Sequence, residues 1–253
     1  GIGLLRSEFQ YLGRENYPGE EELFQAYKKT AQTMGDRLVI IRTADLGADK
    51  QASYLEIPKE TNPLMGNRGI RLCLDRKNLF KTQIRAIYRA SWYGNLGMMY
   101  PMICGEEEMD EIEVLVAEVK NELRAVGIPF KEIQTGIMME TPAAVMIGEE
   151  LAKRVNFLGI GTNDLTQYTL AMDRQNPLLQ KKYNDHHPAI LKMIRMIVEA
   201  GHAQNCKVCL CGELAADTRL TETFLRMGVD ALSVVPACIL PVRKALRAAR
   251  VED

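Results

Sequence analysis

The sequence predicts an α/β protein built as a TIM-type (β/α)8 barrel, and three observations lead to this fold class. Short apolar runs alternate with longer amphipathic segments along all 253 residues. The short runs are apolar nearly throughout, which is typical of parallel strands covered on both faces. Several of them end on a charged or reactive side chain, and in a barrel all strand ends of this kind meet at one face.

Seven strand–helix units follow from this pattern. The predicted strands are Gly1–Leu5, Leu38–Ile41, Met98–Ile103, Thr135–Met139, Val155–Ile160, Lys207–Leu210 and Ala231–Val235. The predicted helices are Glu20–Gly35, Asn67–Tyr93, Glu106–Gly127, Thr141–Arg154, Pro188–Asn205, Asp217–Met227 and Leu240–Ala249. Because the sequence starts inside a strand, we expect the first of the eight barrel strands to lie outside it.

Local signals support several helix ends. Thr141 followed by Pro142 is a typical helix start, with a capping hydroxyl and proline at the first helical position. Gly35, Gly127 and Gly228 stand where helices should stop. No linker or low-complexity segment divides the chain, so residues 1–253 are predicted to form a single domain. A doubly wound open sheet is the structural alternative.

Composition excludes several functional classes. The chain has 32 Lys plus Arg against 33 Asp plus Glu, a net charge of −1, which argues against a general nucleic-acid or anionic-membrane binder. No apolar stretch approaches the roughly 18 residues of a membrane-spanning helix. No secretion signal is visible at the N-terminus. A cytoplasmic location is therefore expected.

The six cysteines are expected to be reduced thiols, since nothing indicates secretion. The spacing of Cys206 and Cys209 is compatible with zinc or dithiol chemistry, but the second pair that a structural zinc site usually needs is missing. In a strand, these two side chains would also point to opposite faces. The sequence therefore favours a structural interpretation of this pair and leaves Cys211 open for another role.

Reactive polar side chains follow five of the apolar runs. These residues are Arg6, Arg42, Glu140, the pair Asn163 and Asp164, and Cys211. An open sheet would spread such positions along an edge, whereas a barrel gathers them in one pocket. The pattern therefore predicts a single site built from distant parts of the chain.

The chemistry of these side chains is coherent. Arg6 and Arg42, with Arg174 after the Asp164 turn, would make a cationic pocket for phosphate or carboxylate oxygens. Glu140 and Asp164 would lie close together only around a cation, and Mg²⁺ or Mn²⁺ prefers such oxygen ligands. A small phosphorylated acid fits this set.

Each residue also has an ordinary structural interpretation. An arginine after a strand is commonly a surface ion-pair residue, and Glu140 before Thr-Pro fits the electrostatics of a helix start. Cys211 alone could be a small buried apolar side chain, although as a proton donor it has a reference pKa of about 8.5. Five coincidences at strand ends favour a functional cluster.

Six motifs, in this order, resemble one known family. They are GIGLLRSEF (1–9), IRTADLGADK (41–50), NPLMGNRGIR (62–71), GIMMETPAA (136–144), GIGTNDLTQYTLAMDR (159–174) and CGELAAD (211–217). The chain resembles, nearly from end to end, the C-terminal domain of Enzyme I, the phosphoenolpyruvate–protein phosphotransferases of the bacterial sugar phosphotransferase system. GTNDLTQ with CGE is specific to the wider family of phosphoenolpyruvate-utilising enzymes.

The resemblance implies a role for each motif residue. Phosphoenolpyruvate would be bound by Arg6, Arg42, Arg68, Asn163, Asp164 and Arg174, with Lys50 as a further contact. Mg²⁺ would be held by Glu140 and Asp164. Cys211 would be the catalytic acid that protonates enolpyruvate to pyruvate.

In the family, the phosphoryl acceptor is a histidine on a separate N-terminal domain, which passes the group to a histidine-containing phosphocarrier protein. His186 and His187 stand before Pro188 and are predicted to be a loop pair, and His202 lies within an amphipathic helix. None lies in the glycine- and serine-rich setting of the family's phosphohistidine. The chain is therefore expected to be the substrate-binding part of a larger enzyme and, by resemblance, a homodimer.

Three alternatives remain open from the sequence. One is the equivalent domain of pyruvate phosphate dikinase or phosphoenolpyruvate synthase, although QYTLAMDR and NPLMGNRGIR favour Enzyme I. Another is a magnesium-dependent carbon–carbon lyase acting on pyruvate, which has no obvious need for the arginine set. The third is a phosphoenolpyruvate sensor without catalytic activity.

Overall fold

The computed structural model describes residues 1–47, 53–55 and 57–250 of the chain. It divides into two compact units, Gly1–Gly136 and Ile137–Asp253, which are described separately below. Seven strands occur in the described residues. They are β1 (Ile2–Arg6), β2 (Val39–Arg42), β3 (Leu96–Tyr100), β4 (Gln134–Met139), β5 (Phe157–Gly161), β6 (Lys207–Cys211) and β7 (Ala231–Leu232).

Helices separate these strands along the chain. They are α1 (Glu20–Met34), α2 (Ile70–Asp75), α3 (Lys77–Ser91), α4 (Glu106–Ala125), α5 (Pro142–Met146), α6 (Gly148–Ala152), α7 (Thr162–Leu170), α8 (Pro188–Ala203), α9 (Thr221–Arg226) and α10 (Ile239–Ala248). Within the described ranges, none of these helices combines the length and the apolar character needed to cross a membrane.

The strands are parallel and their order in the sheet is that of the chain. In the first unit, β1 pairs with β2 and β2 with β3. In the second, β5 pairs with β6 and β6 with β7. All residues of β2, β3 and β5 are buried, as expected for strands covered on both faces. This strand order confirms the predicted fold class, a TIM-type barrel lacking one strand. It disagrees with the structural alternative, an open sheet in which the strand order reverses.

Helix ends confirm the local predictions. The Thr141 hydroxyl accepts a hydrogen bond from Ala144 N–H at 3.2 Å, and Pro142 opens α5. A cap that was not predicted begins α4, where the Glu108 carboxylate accepts a hydrogen bond from Gly105 N–H at 3.1 Å. Gly35, Gly127 and Gly228 all have positive φ beyond their helices.

Two long helices were predicted to be continuous, and this prediction is wrong because each is interrupted. The helix predicted over Asn67–Tyr93 is two helices, α2 and α3, interrupted at Arg76. The helix predicted over Thr141–Arg154 is likewise α5 and α6, interrupted at Ile147. In both cases a residue with φ near −110° and positive ψ replaces the helical conformation.

Other predicted element boundaries also differ from the structure. The strand predicted over Met98–Ile103 is β3, which starts earlier and ends before Pro101, a residue without a backbone N–H to donate. Helix α7 was not predicted at all, since its nine mostly polar residues resemble a turn. It follows β5 directly, so the motif GTNDLTQ is helical after its first glycine.

An ion-pair network joins three helices on the surface of the first unit. Glu20 of α1 binds Arg85 and Arg89 of α3 at 2.8 and 2.7 Å. Glu122 of α4 binds Arg85 and Lys81 at 2.9 and 2.5 Å. Because the members are shared, the α1–α3–α4 ion-pair network links helices that are distant in sequence.

Candidate active site

The first unit carries two of the predicted arginines on adjacent strands. Arg6 ends β1, Arg42 ends β2, and the two are paired in the parallel register. The Arg6 side chain is exposed, whereas Arg42 is buried. Ser7 donates a hydrogen bond of 2.7 Å from its hydroxyl to the Arg42 carbonyl, which ties the end of β1 to β2. The strand ends therefore place these two guanidinium-bearing residues side by side.

Two buried carboxylates accompany Arg42, and sequence reasoning missed both. Arg42 Nη2 lies 3.0 Å from Glu8 Oε1 and 3.3 Å from Asp45 Oδ2. Asp45 also binds the predicted substrate arginine Arg68, whose Nη2 lies 3.0 and 2.9 Å from the two Asp45 oxygens. Each of these four side chains is less than a tenth exposed. We call Glu8, Arg42, Asp45 and Arg68 the buried charge cluster.

The loop that carries Asp45 is fixed by further hydrogen bonds. Asp45 N–H donates to Glu8 Oε1 at 3.0 Å. Ala44 N–H donates to Gln83 Oε1 at 2.9 Å, and Gln83 in turn donates to the Tyr27 hydroxyl at 3.0 Å. Gln83 is fully buried in α3. The segment after β2 is thus held in one place, which orients the guanidinium groups of the cluster.

Carboxylates compensate two of the predicted substrate-binding arginines in the first unit. Arg42 and Arg68 are paired with two carboxylates, so the cluster is formally neutral instead of strongly positive. Arginine presents five N–H donors in a rigid, planar group. A carboxylate that binds one edge of this group therefore also fixes the direction of its remaining N–H donors. Lys50, the further predicted contact, lies outside the described residues.

In the second unit, Glu140 lies against the end of β5. The residue follows β4 directly and is 1% exposed. Gly161 ends β5, and a Cβ atom on it would lie 2.5 Å from Glu140 Oε2 and 2.8 Å from Glu140 Cβ. The glycine is thus required because the Glu140 side chain occupies the space beside the backbone.

Cys211 ends the neighbouring strand. It is paired with Gly161 in the parallel register and is 2% exposed. Its carbonyl accepts a hydrogen bond of 2.9 Å from the Thr162 hydroxyl. Cys211, the predicted acid, therefore lies beside Gly161, whose backbone the Glu140 side chain approaches.

Asn163 links the two strand ends through its side chain. Its Oδ1 accepts a hydrogen bond of 3.1 Å from Glu213 N–H, in the turn after β6. The turn depends on Gly212, which has a φ of 90° and where a Cβ atom would lie 2.9 Å from Asn163 Oδ1. The motifs GTND and CGE are thus physically joined.

Asp164 and Arg174 form an ion pair beside a cavity. Arg174 Nη1 lies 3.6 Å from Asp164 Oδ2, and the Asp164 side chain is one-tenth exposed. Asn163 and Arg174 line a cavity of about 330 Å³, and its walls include Gln180, Tyr183 and Glu213. Burial raises the pKa of Tyr183, so its hydroxyl, which donates to the Asn163 carbonyl at 3.2 Å, stays protonated.

The donor set of the second unit fits a hard divalent cation. Glu140, which follows β4, and Asp164, in the first turn of α7 after β5, are buried carboxylates, and neither side chain suits a soft metal. No group of three His, Cys, Asp or Glu side chains that could hold a metal ion occurs in the part of the chain that the structure describes. Mg²⁺ is commonly held by one or two carboxylates together with substrate oxygens and water, so two suffice.

The histidines lie as predicted, outside the strand ends. His186 is in the loop before α8, where its Nε2 lies 2.7 Å from Asp217 Oδ2. His187 caps α8 by accepting a hydrogen bond from Ala189 N–H at 3.2 Å. His202 is in the last turn of α8 and lies 3.0 Å from Asp230. All three have structural partners.

The close approach at Gly161 gives a testable result. We expect Gly161→Ala to displace the Glu140 carboxylate and to destabilise the protein by about 1–3 kcal/mol, because an added methyl group in a packed site forces its neighbours to move. Urea unfolding measures the loss. Gly19→Ala is the control, since no atom lies within 4 Å of the added Cβ there. Equal unfolding midpoints for the two variants would contradict the proposed contact.

The family model for PEP-utilising enzymes, described as their PEP-binding domain, matches residues 1–251 of the chain. The chain belongs to this family. Every residue of the candidate site in both units lies within the matched range, including the buried charge cluster that sequence reasoning missed. The resemblance inferred from the motifs is confirmed.

Curated relatives carry a more specific name. The chain is 46% identical over 254 residues to the phosphoenolpyruvate-protein phosphotransferase of Haemophilus influenzae, with all of this chain and 44% of that protein covered. It is 43% identical to the protein of the same name from Bacillus subtilis, with 96% of this chain and 43% of that protein covered. The chain thus spans less than half the length of these relatives.

Solved structures share the fold at much lower identity. Malate synthase of Haloferax volcanii, solved as a lead(II) complex, is 14% identical, with a TM-score of 0.54 over 92% of this chain and 60% of that one. Citrate synthase SbnG is 13% identical, with a TM-score of 0.52 over 97% of this chain and 81% of that one. These likenesses show the fold of the PEP-binding domain and no more.

Proposed function

We propose that this PEP-binding domain binds phosphoenolpyruvate with Mg²⁺ and supports transfer of its phosphoryl group to a histidine on a separate domain. The enolpyruvate that this transfer releases is then protonated to pyruvate. The reaction is the first step of the sugar phosphotransferase system. The proposal is supported by the relatives named phosphoenolpyruvate-protein phosphotransferase, of which the chain covers 43–44% in the two described above.

One observation carries the chemical part of the proposal. Cys211 is paired in register with Gly161, and Glu140 lies over Gly161. This arrangement supports a proposal in which a proton-donating thiol acts beside a carboxylate that would hold a divalent cation. Protonation of an enolate carbon requires an acid near the enolate oxygen that the cation would bind.

The remaining residues have complementary roles. Arg6 and Arg42 bind phosphoryl and carboxylate oxygens of the substrate, and Arg68 is held in the same cluster by Asp45. Asn163 and Arg174 contact the substrate from the cavity wall. Glu140 and Asp164 would hold Mg²⁺, which would supply positive charge to balance the phosphoryl oxygens.

The greater length of the relatives supports a separate partner domain. Their additional part would contain the phosphohistidine domain, which passes the phosphoryl group to a histidine-containing phosphocarrier protein. The enzyme is proposed to act in the cytoplasm as a homodimer. The described residues near the end of the chain include exposed apolar side chains suited to an interface, Val235 and Leu240 among them.

Substrate binding is tested best at Arg6. We expect Arg6→Ala to weaken binding of phosphoenolpyruvate, measured by calorimetry with Mg²⁺, by about tenfold to a hundredfold, because a hydrogen bond to a charged group contributes about 1.5–3 kcal/mol. Since Arg6 is exposed, the variant should fold normally. Arg37→Ala, another exposed arginine, is the control. Unchanged affinity in Arg6→Ala would contradict its assignment.

A further inference from the structure

Gln167 of α7 is a buried polar residue to which the proposed reaction assigns no role. The residue is 4% exposed, and its Oε1 accepts a hydrogen bond of 3.1 Å from the Arg174 backbone N–H. Its backbone carbonyl accepts two more, from the N–H of Ala171 and, at 3.1 Å, from that of Met172. Three hydrogen bonds from the segment after α7 therefore converge on this one residue.

These hydrogen bonds hold a strained reversal of the chain. Ala171, directly after α7, has a φ of 51° and a ψ of 39°, a left-handed conformation that residues with a Cβ atom rarely adopt. Such a conformation persists only where the surrounding structure fixes it. The reversal returns the chain to α7, where Arg174 Nη1 lies 3.6 Å from Asp164 Oδ2. Because Asp164 and Gln167 are three residues apart, they lie on the same face of the helix and hold the two ends of Arg174.

Two nitrogen atoms in this arrangement are buried without a hydrogen bond. They are Gln167 Nε2 and Arg174 Nη1, and neither has a hydrogen-bond partner within the part of the chain that the structure describes. A buried donor without an acceptor destabilises a folded protein, so stability alone does not explain the Gln167 amide. Its oxygen has a definite use, since only the oxygen of the amide can accept the Arg174 N–H. Arg174 lines the cavity, and its Nη1 is a donor available to a substrate oxygen.

We propose that Gln167 is a positioning residue, which directs the Arg174 guanidinium toward the substrate by fixing the Arg174 backbone. A flexible side chain loses conformational freedom when it binds a ligand, and this loss weakens binding. With its backbone held by Gln167 and its guanidinium beside Asp164, Arg174 has lost part of this freedom before the substrate arrives. The effect on affinity rests on the proposed function, in which Arg174 contacts phosphoenolpyruvate, whereas the hydrogen bond from Arg174 to Gln167 does not.

The binding experiment compares substitutions of similar size at position 167. Gln167→Met lacks the accepting oxygen, and we expect it to bind phosphoenolpyruvate about three- to tenfold more weakly in calorimetry with Mg²⁺, which is the range for one neutral hydrogen bond. Gln167→Glu keeps an oxygen at this position and should bind more tightly than Gln167→Met. The control is Gln204→Met, which removes an exposed hydrogen bond to Glu149 and should match wild type.

A double-mutant cycle separates positioning from general damage to the site. In an Arg174→Ala background, Gln167→Met should cause no further loss of affinity, because the guanidinium that Gln167 directs is absent. The same three- to tenfold loss in both backgrounds would overturn the proposal, since the substitution would then disturb the site as a whole. Weaker binding in Arg174→Ala but not in Gln167→Met would also overturn it.

Hydrogen exchange tests the positioning without any ligand. Followed by nuclear magnetic resonance, the Arg174 amide proton should exchange with deuterated water at least about tenfold faster in Gln167→Met than in wild type, because the hydrogen bond that protects it is lost. Unchanged protection would overturn the proposal. Faster exchange in Gln167→Met together with unchanged affinity in Arg174→Ala would support the positioning of Arg174 and instead contradict its contact with phosphoenolpyruvate in the proposed function.

Discussion

Cys211→Ala should reduce the exchange of pyruvate methyl hydrogens with solvent, in the presence of Mg²⁺, by about 10²–10⁴-fold. This is the range that a positioned general acid contributes. The exchange requires the enol form to be made and protonated within the site, and Cys211 ends β6 beside Gly161. Nuclear magnetic resonance of pyruvate in deuterated water measures the rate directly and does not require the phosphoryl acceptor.

Cys206→Ala is the matched control for this experiment. Cys206 is another buried cysteine at β6, at the opposite end of the strand, and it takes no part in the proposed reaction. Its exchange rate should stay within about twofold of wild type once folding is verified. If Cys211→Ala exchanged pyruvate as fast as this control, the protein would be a phosphoenolpyruvate binder without the assigned acid.

Asp45→Ala should lower the free energy of unfolding by about 3–5 kcal/mol. Removing one partner from a buried ion pair leaves the other charge without compensation in a poorly solvating environment. Asp45 binds both Arg42 and Arg68, and its own side chain is fully buried. Urea unfolding followed by circular dichroism measures the effect as a lower midpoint with an unchanged slope.

Glu222→Ala supplies the comparison for Asp45→Ala. Glu222 pairs with Arg226 at 2.8 Å in α9, and both side chains are about half exposed. Exposed pairs of this spacing contribute little, so the variant should lose less than about 0.5 kcal/mol. A similarly small loss in Asp45→Ala would mean that the buried charge cluster does not hold the arginines in place.

Much of the fold could be predicted because the signals are local. Continuous apolar runs identified all seven strands in the described residues, and the glycines after α1, α4 and α9 marked the helix ends. The breaks at Arg76 and Ile147 could not be predicted, since neither residue is glycine or proline. Tertiary packing, which no short window contains, decides such interruptions.

The candidate site residues that could be predicted are those that follow a strand directly. Arg6, Arg42, Glu140 and Cys211 each follow an apolar run, and the structure places each at or directly after a strand end. Glu8 gave no such signal, because an acidic residue in a loop is ordinarily solvated. Its partnership with Arg42 joins residues 34 positions apart and depends on the pairing of β1 with β2.

The α1–α3–α4 ion-pair network has a consequence for growth at elevated temperature. The cost of removing charged groups from water falls on heating, because their hydration becomes less favourable. Shared pairs such as Glu20 with Arg85 and Arg89 should therefore carry a larger fraction of the stability of the first unit in a warm cell than in a cold one. Raising the ionic strength would erode this thermal advantage.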